Sequence, residues 1–179
     1  MKGEHTQAPY LAISPVGTVP AYRDSDSAVI MNESGAMMEF ILAKYGKGSK
    51  LVPSPTSPEF ASYLEWFWFA EGMAMPTLTR VIQQTILLPE EKRTPWVGEA
   101  AKESVLLQLG MYEKHFATTG NTYLIGNSLT CADIMNIQNL FLSVNFVGLL
   151  TVEAFPKTFA YFELLSTHEG MKKAYGIPL

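Results

Sequence analysis

The spacing of apolar positions changes character at residue 34. Before it, apolar positions come in short runs cut by Pro, Gly, Asp and Ser: Tyr10-Leu11-Ala12-Ile13 leads to Ser14-Pro15, Val19 runs into Pro20, and Val29-Ile30-Met31 follows the polar stretch Tyr22–Ser27. This pattern predicts two short strands, one ending at Val19-Pro20 and one at Val29–Met31, with Tyr22–Ser27 as the hairpin turn between them and without chemistry of its own. From Ser34 the period becomes helical, with Ala36, Met37, Phe40, Ile41 and Lys44 on one stripe and Tyr45-Gly46 as the stop. Residues 47–57, with Gly48, Pro53 and Pro55, read as a connection between a first domain of residues 1–46 and a second of residues 58–179.

The second domain reads as helix throughout. Ser57-Pro58-Glu59 is a helix start, and the run Tyr63–Phe69 after it is apolar nearly all round, as in a helix buried on several sides or lining a cleft. Gly72 and Pro76 interrupt it, and Pro76 is expected to kink or restart the helix. Thr94-Pro95 opens a further helix that runs to Phe116. Thr130 and Asp133 form a capping box ahead of Ile134–Phe146, Pro156 to His168 brackets a shorter helix, and a last helix ends near Tyr175-Gly176.

Composition narrows the function. The chain has 179 residues, 47% of them hydrophobic, and a formal net charge of −4 without a basic stripe. These numbers fit a globular protein and argue against nucleic acid or an anionic membrane as partner. The one cysteine, Cys131, leaves no internal disulfide and fits a reducing cytoplasm, as a small buried hydrophobe rather than a nucleophile. Leu140–Leu150, the longest apolar run, is too short and interrupted to span a bilayer. His115 and His168 stand apart with no second ligand at metal spacing, and no phosphate loop or Ser-His-Asp order is present.

Two places offer binding chemistry. Pro20 cannot donate to a ladder, so a strand ends or bends there, a cis bond being one way, and Val19 is left to present its peptide groups sideways to a ligand. Glu33-Ser34 opens a helix whose first-turn amides and dipole suit a carboxylate. A plain helix cap and an exposed loop histidine at His5 are the alternatives for these positions.

These residues resemble the glutathione S-transferase superfamily, its fungal biosynthetic-pathway members included. Lys2–His5, Leu11–Pro15, Val19-Pro20, Glu33-Ser34, Tyr123–Asn127, Thr130–Ile134 and Phe155-Pro156 follow in the family's order over nearly the whole chain. The resemblance implies an α+β, mostly α fold: a shortened thioredoxin-like part of two strands and a helix, then an all-α helical domain in which the capping box serves folding. It implies glutathione as cosubstrate, its cysteinyl part on the Val19-Pro20 backbone, its γ-glutamyl carboxylate on Glu33 and Ser34, and its glycyl carboxylate near His5.

The family's usual thiol-activating Tyr, Ser or Cys precedes the point where this chain starts to match. The first strand is accordingly expected to lack a neighbour, and its edge to be covered by a second subunit in a homodimer. Arg80 is the candidate catalytic residue, polarising a carbonyl or stabilising an enolate, beside a hydrophobic substrate pocket of Trp66, Phe69 and Met73; a surface arginine and core aromatics are the alternatives. The expected activity is addition of the glutathione thiolate to a hydrophobic conjugated small molecule, as a transferase or an addition–elimination cis/trans isomerase in secondary metabolism. The alternative is a non-catalytic binding or scaffolding module. A peroxidase or thiol-exchange reading lacks its cysteine.

Overall fold

The computed structural model describes residues 3–175; Met1, Lys2 and residues 176–179, among them the Gly176 expected to close the last helix, lie outside the described residues. The chain divides into two compact units, Met1–Ser49 and Lys50–Leu179.

The first unit contains a 3-10 turn at Glu4–Thr6, α1 (Ala8–Leu11), β1 (Tyr22–Arg23), β2 (Ile30–Met31) and α2 (Ser34–Tyr45). The two strands pair antiparallel, with Tyr22 opposite Met31 and Arg23 opposite Ile30. The expected strand into Val19-Pro20 does not form; the first strand comes after Pro20, on residues expected to be turn. Side chains are the reason. The Thr18 amide donates to Ser14 Oγ (3.1 Å), and the Thr18 carbonyl accepts from Ser14 Oγ (3.0 Å) and from the Tyr10 hydroxyl (2.7 Å). With its backbone groups occupied by local side chains, Thr18 has no part in a ladder.

This unit is poor in apolar core and is held instead around one carboxylate. Asp24, 2% exposed, pairs with Lys44 and accepts hydrogen bonds from the hydroxyls of Tyr22, Ser27 and Tyr45. The turn expected to be inert therefore ties the hairpin to the last turn of α2. The Lys44 ammonium, then Ser27 and Tyr45, hold the Asp24 carboxyl well below the usual carboxylate range, and Asp24 in turn raises Lys44 and pushes Tyr45 up to about 12.

The second unit is helical: α3 (Phe60–Phe69), a π segment at Ala70–Ala74, α4 (Met75–Ile82), a π turn at Gln83–Leu87, a 3-10 turn at Glu90–Lys92, α5 (Pro95–Thr119), α6 (Cys131–Asn145), α7 (Pro156–Thr167) and α8 (Glu169–Tyr175). Ser57 does cap the chain's entry, accepting the Glu59 amide at 3.2 Å, but the next residues form a turn and helix begins at Phe60. The linker's last residues belong to this unit, because the Leu51 carbonyl takes the Cys131 amide at 2.8 Å.

The helix restarts at Pro76, as expected. This proline stands in the first turn of α4, directly after the π segment, where the Met75 amide reaches back to the Ala70 carbonyl. The wider turn makes room for a residue without an N–H. Buried amides on α6 serve the carbonyls nearby: Asn136 Nδ2 donates to the Trp66 carbonyl and Asn139 Nδ2 to that of Ala70, at 2.8 and 3.1 Å. Asn136 also donates to the Ala132 carbonyl and accepts from the Tyr112 hydroxyl, which binds α3, α5 and α6 through one side chain.

α4 packs on α5, α3 on α6, and α7 on both α5 and α6, around Phe67, Leu78, Leu109, Tyr112, Leu140 and Leu165, all at most 3% exposed. The capping box forms as expected: Asp133 accepts the Thr130 amide (2.7 Å) and hydroxyl (2.9 Å), and also the Leu124 amide (2.9 Å) and the Tyr161 hydroxyl (2.7 Å). Among the described residues, no helix is long and apolar enough to cross a membrane.

Candidate functional site

In the first unit the site begins with a loop. Gly17 has φ 69°, and a Cβ there would stand 2.9 Å from the His5 carbonyl oxygen, so only glycine lets the loop lie against the 3-10 turn that carries His5. Two residues on, Val19 is 64% exposed, and the Val19–Pro20 peptide bond is cis. His5 itself is half-buried.

At the start of α2, Glu33 is exposed and adopts φ 72° and ψ 106°, the one non-glycine residue of positive φ among the described residues. Such a backbone costs roughly 1–3 kcal/mol and persists only where its surroundings impose it. The first helical bond runs from the Met37 amide to the Glu33 carbonyl at 2.9 Å, and the Glu33 side chain makes no capping bond. The amides ahead of Met37 open the helix beside an uncommitted carboxylate. Directly before them, Asn32 Oδ1 is buried with no hydrogen-bond partner in the protein.

Helix-start amides donate to a carboxylate, while the Glu33 carboxylate and the Asn32 oxygen accept from an ammonium. Together they suit the head group of an α-amino acid, which is what the γ-glutamyl end of glutathione carries. The residues present therefore fit the group that the family resemblance implies.

In the second unit Trp66, Phe69 and Met73 line one cavity of about 550 Å³, with Trp68, Met111 and His115. Its walls come from α3, the π segment and α5. Phe69 meets the Trp66 ring edge-on at 5.3 Å between centroids, and His115 does so at 5.1 Å. Burial lowers the His115 imidazole below its ordinary value, and its Nε2 stands 3.0 Å from the Leu124 carbonyl. A carbonyl can only accept, so that nitrogen carries the proton. Trp68 and Met73, about half exposed, leave the cavity open to solvent.

Arg80 is exposed on α4 and is not among the residues that wall this cavity. Tyr63 and Phe67, at 4% and 1% exposure, are core. Cys131 is fully buried, and burial pushes its thiol up to about 11, away from the thiolate form at neutral pH. Among the described residues no cluster of three or more His, Cys, Asp or Glu could hold a metal ion. Sequence reasoning missed Trp68, Met111, His115 and Asn32. Met111, His115 and Thr119 repeat every four residues along α5, a signal that could have placed them on one face with the cavity; nothing marks Asn32 beyond its place before Glu33.

Residues 1–50 match the glutathione S-transferase N-terminal domain and residues 74–169 the glutathione S-transferase C-terminal domain. The chain is 24% identical over 176 residues to glutathione S-transferase A of Pleuronectes platessa, a match over 97% of this chain and 75% of that one. It is 32% identical over 146 residues to glutathione S-transferase PM239X14 of Arabidopsis thaliana, covering 76% of this chain and 63% of that one, less than two thirds of that relative's length. The crystal structure of the glutathione transferase URE2P8 from Phanerochaete chrysosporium with oxidized glutathione has a TM-score of 0.83 at 23% identity, over 98% of this chain and 78% of that one, a likeness of fold. With both domain matches in their proper order and the fold in agreement, the chain belongs to the glutathione S-transferase superfamily.

Proposed function

We propose that this protein binds glutathione on its first unit and adds the thiolate to a hydrophobic conjugated small molecule. The observation that carries this reading is the start of α2, where Glu33 is held at positive φ beside helix-opening amides and the orphaned oxygen of Asn32. Glu33 and Ser34 take the γ-glutamyl head group, the Val19 backbone beside Pro20 takes the cysteinyl amide, and His5 takes the glycyl carboxylate. The aromatic cavity of Trp66, Phe69 and Met73 is the place for the second substrate, since its volume falls within the ordinary range for small-molecule sites.

In the reaction the thiol proton leaves to water, its loss favoured by backbone amides and the helix dipole. The sulfur forms a bond to the electrophilic carbon, and the displaced π electrons pass to the conjugated carbonyl as an enolate. The adduct then takes up a proton and departs, or it rotates about its new single bond and expels the thiolate, which isomerises the alkene. The setting is secondary metabolism in a reducing cytoplasm, and the protein works as a homodimer.

Arg80's exposure favours a second reading, a non-catalytic module that keeps the glutathione site. Calorimetric titration with glutathione and turnover of an aromatic electrophile such as a chlorodinitrobenzene separate the two. The enzyme reading expects binding, turnover that stops when glutathione is omitted, and loss of both in Glu33→Ala. Binding without turnover of any electrophile supports the module, and no binding at all removes both readings.

A further inference from the structure

The aromatic cavity of the second unit is biased towards accepting hydrogen bonds. Ser62, Glu65, His115 and Thr119 share its lining with the aromatic rings, and among the described residues no Lys or Arg does. Glu65 is exposed, and a carboxylate only accepts. Thr119 gives its hydroxyl proton to the His115 carbonyl at 2.8 Å, so its oxygen too is left to accept.

His115 is the acceptor set into the wall. Its Nε2 proton is held by the carbonyl of Leu124, a residue 1% exposed, which turns that edge of the ring to the core. Trp66 and Phe116 meet the ring edge-on at 5.1 and 5.2 Å between centroids and hold it in this orientation. Burial disfavours the imidazolium, so Nδ1 carries a lone pair at neutral pH. The unpaired side-chain atoms shut off from solvent are Asn32 Oδ1 and Asn139 Oδ1. Nδ1 has no hydrogen-bond partner among the described residues and is not one of these, so it is an acceptor that a ligand can reach.

A ligand for this cavity needs a flat apolar body and one donor. An anion finds no cation in the lining and meets the charge of Glu65. An ammonium would leave water for a carboxylate that stays solvated, which does not offset its desolvation. A neutral phenol has the body for Trp66 and Phe69 and an O–H for the imidazole.

We infer that the second substrate carries a phenolic hydroxyl and that His115 selects it by accepting that hydrogen bond at Nδ1. This rests on the cavity being the place of the second substrate, and it makes His115 a specificity residue with no part in the thiol chemistry.

Calorimetric titration of the full chain without glutathione tests it, with 2-naphthol and 2-methoxynaphthalene as probes, since only the first has a hydroxyl proton. Naphthol is expected to bind about 3- to 10-fold more tightly, the worth of one neutral hydrogen bond, and 2-naphthoate more weakly than naphthol. His115→Phe keeps a flat ring and is expected to abolish naphthol's advantage while leaving the ether's affinity within about two-fold. Because that variant also gives up the bond to Leu124, a second reading uses the wild type. In the histidine-labelled chain the nitrogen-15 resonance of His115 Nδ1 is expected to shift with naphthol and to stay in place with the ether. An unmoved resonance, naphthoate binding tighter than naphthol, or an advantage that survives in folded His115→Phe overturns the assignment. Equal binding of naphthol and ether overturns it alone, whereas binding of neither removes the cavity as a substrate place and this assignment with it.

Discussion

Glu33 is where local preference and site chemistry are most plainly opposed. A β-carbon at φ 72° and ψ 106° is strained by roughly 1–3 kcal/mol, whereas glycine adopts positive φ freely. Elsewhere in a chain Gly is commonly less stable than Ala by about 0.5–1 kcal/mol; at position 33 the order is expected to reverse. Glu33→Gly should be about 1–2 kcal/mol more stable than Glu33→Ala, while both lose glutathione binding alike, because neither supplies a carboxylate. Chemical denaturation followed by amide exchange in α2 measures the first effect and calorimetry the second. An alanine variant as stable as the glycine variant would mean that the backbone is not strained. The sequence could point to Glu33-Ser34 as a carboxylate site, since a helical period visibly begins there. It could not show the positive φ, which depends on what surrounds the residue and not on the residue's own preference.

At the scale of elements, the helices were legible and the irregular joints between them were not. Apolar spacing over ten or more residues marks α2, α5 and α6, and Thr130 with Asp133 marks a helix start without further context. The first strand was misplaced because Ser14 and Tyr10, four and eight residues before Thr18, bond its backbone groups, a short-range competition that hydrophobic patterning does not register. The π segment before Pro76 was likewise hidden, although a proline inside a helical pattern showed that something had to give. Asp133 shows how a legible cap can carry more than its motif says. Beyond capping α6, it holds the Leu124 amide and the Tyr161 hydroxyl, fixing the preceding loop and α7 to one carboxylate. A cap alone is worth about 1 kcal/mol, and each buried donor left unpaired adds roughly 1–3 kcal/mol. Asp133→Ala is therefore expected to cost about 3–5 kcal/mol in a urea titration followed by tryptophan emission, with Tyr161→Phe recovering part of the loss when added to it. A cost near 1 kcal/mol would reduce Asp133 to a cap.

The two units of the molecule are held by different forces, and acidity should tell them apart. The second unit rests on a continuous apolar core; the first has little such core and is organised around the Asp24 carboxylate with Lys44, Tyr22, Ser27 and Tyr45. Apolar patterning carries no sign of this, because a polar Asp-Ser turn is ordinarily solvated and Lys44 lies twenty residues further on. Asp24 has a folded-state pKa depressed below its unfolded value near 3.9, so its stabilisation is complete above that value and is lost as pH falls from about 4 towards the folded value. Lys44 and Tyr45 are raised, so their share is complete below about pH 10 and disappears only in strong alkali. Between those limits the first unit should show little pH dependence. All three tryptophans, Trp66, Trp68 and Trp96, belong to the second unit, so their emission reports that unit, while amide exchange in residues 34–45 reports the first. On acidification from pH 5 to pH 2, protection in α2 is expected to collapse before tryptophan emission shifts. Asp24→Asn leaves Lys44 without its anion, so it should weaken α2 protection already at pH 7 and flatten its dependence on acid. If exchange and emission changed together in the wild type, with the same midpoint in Asp24→Asn, the carboxylate would not be what holds the first unit.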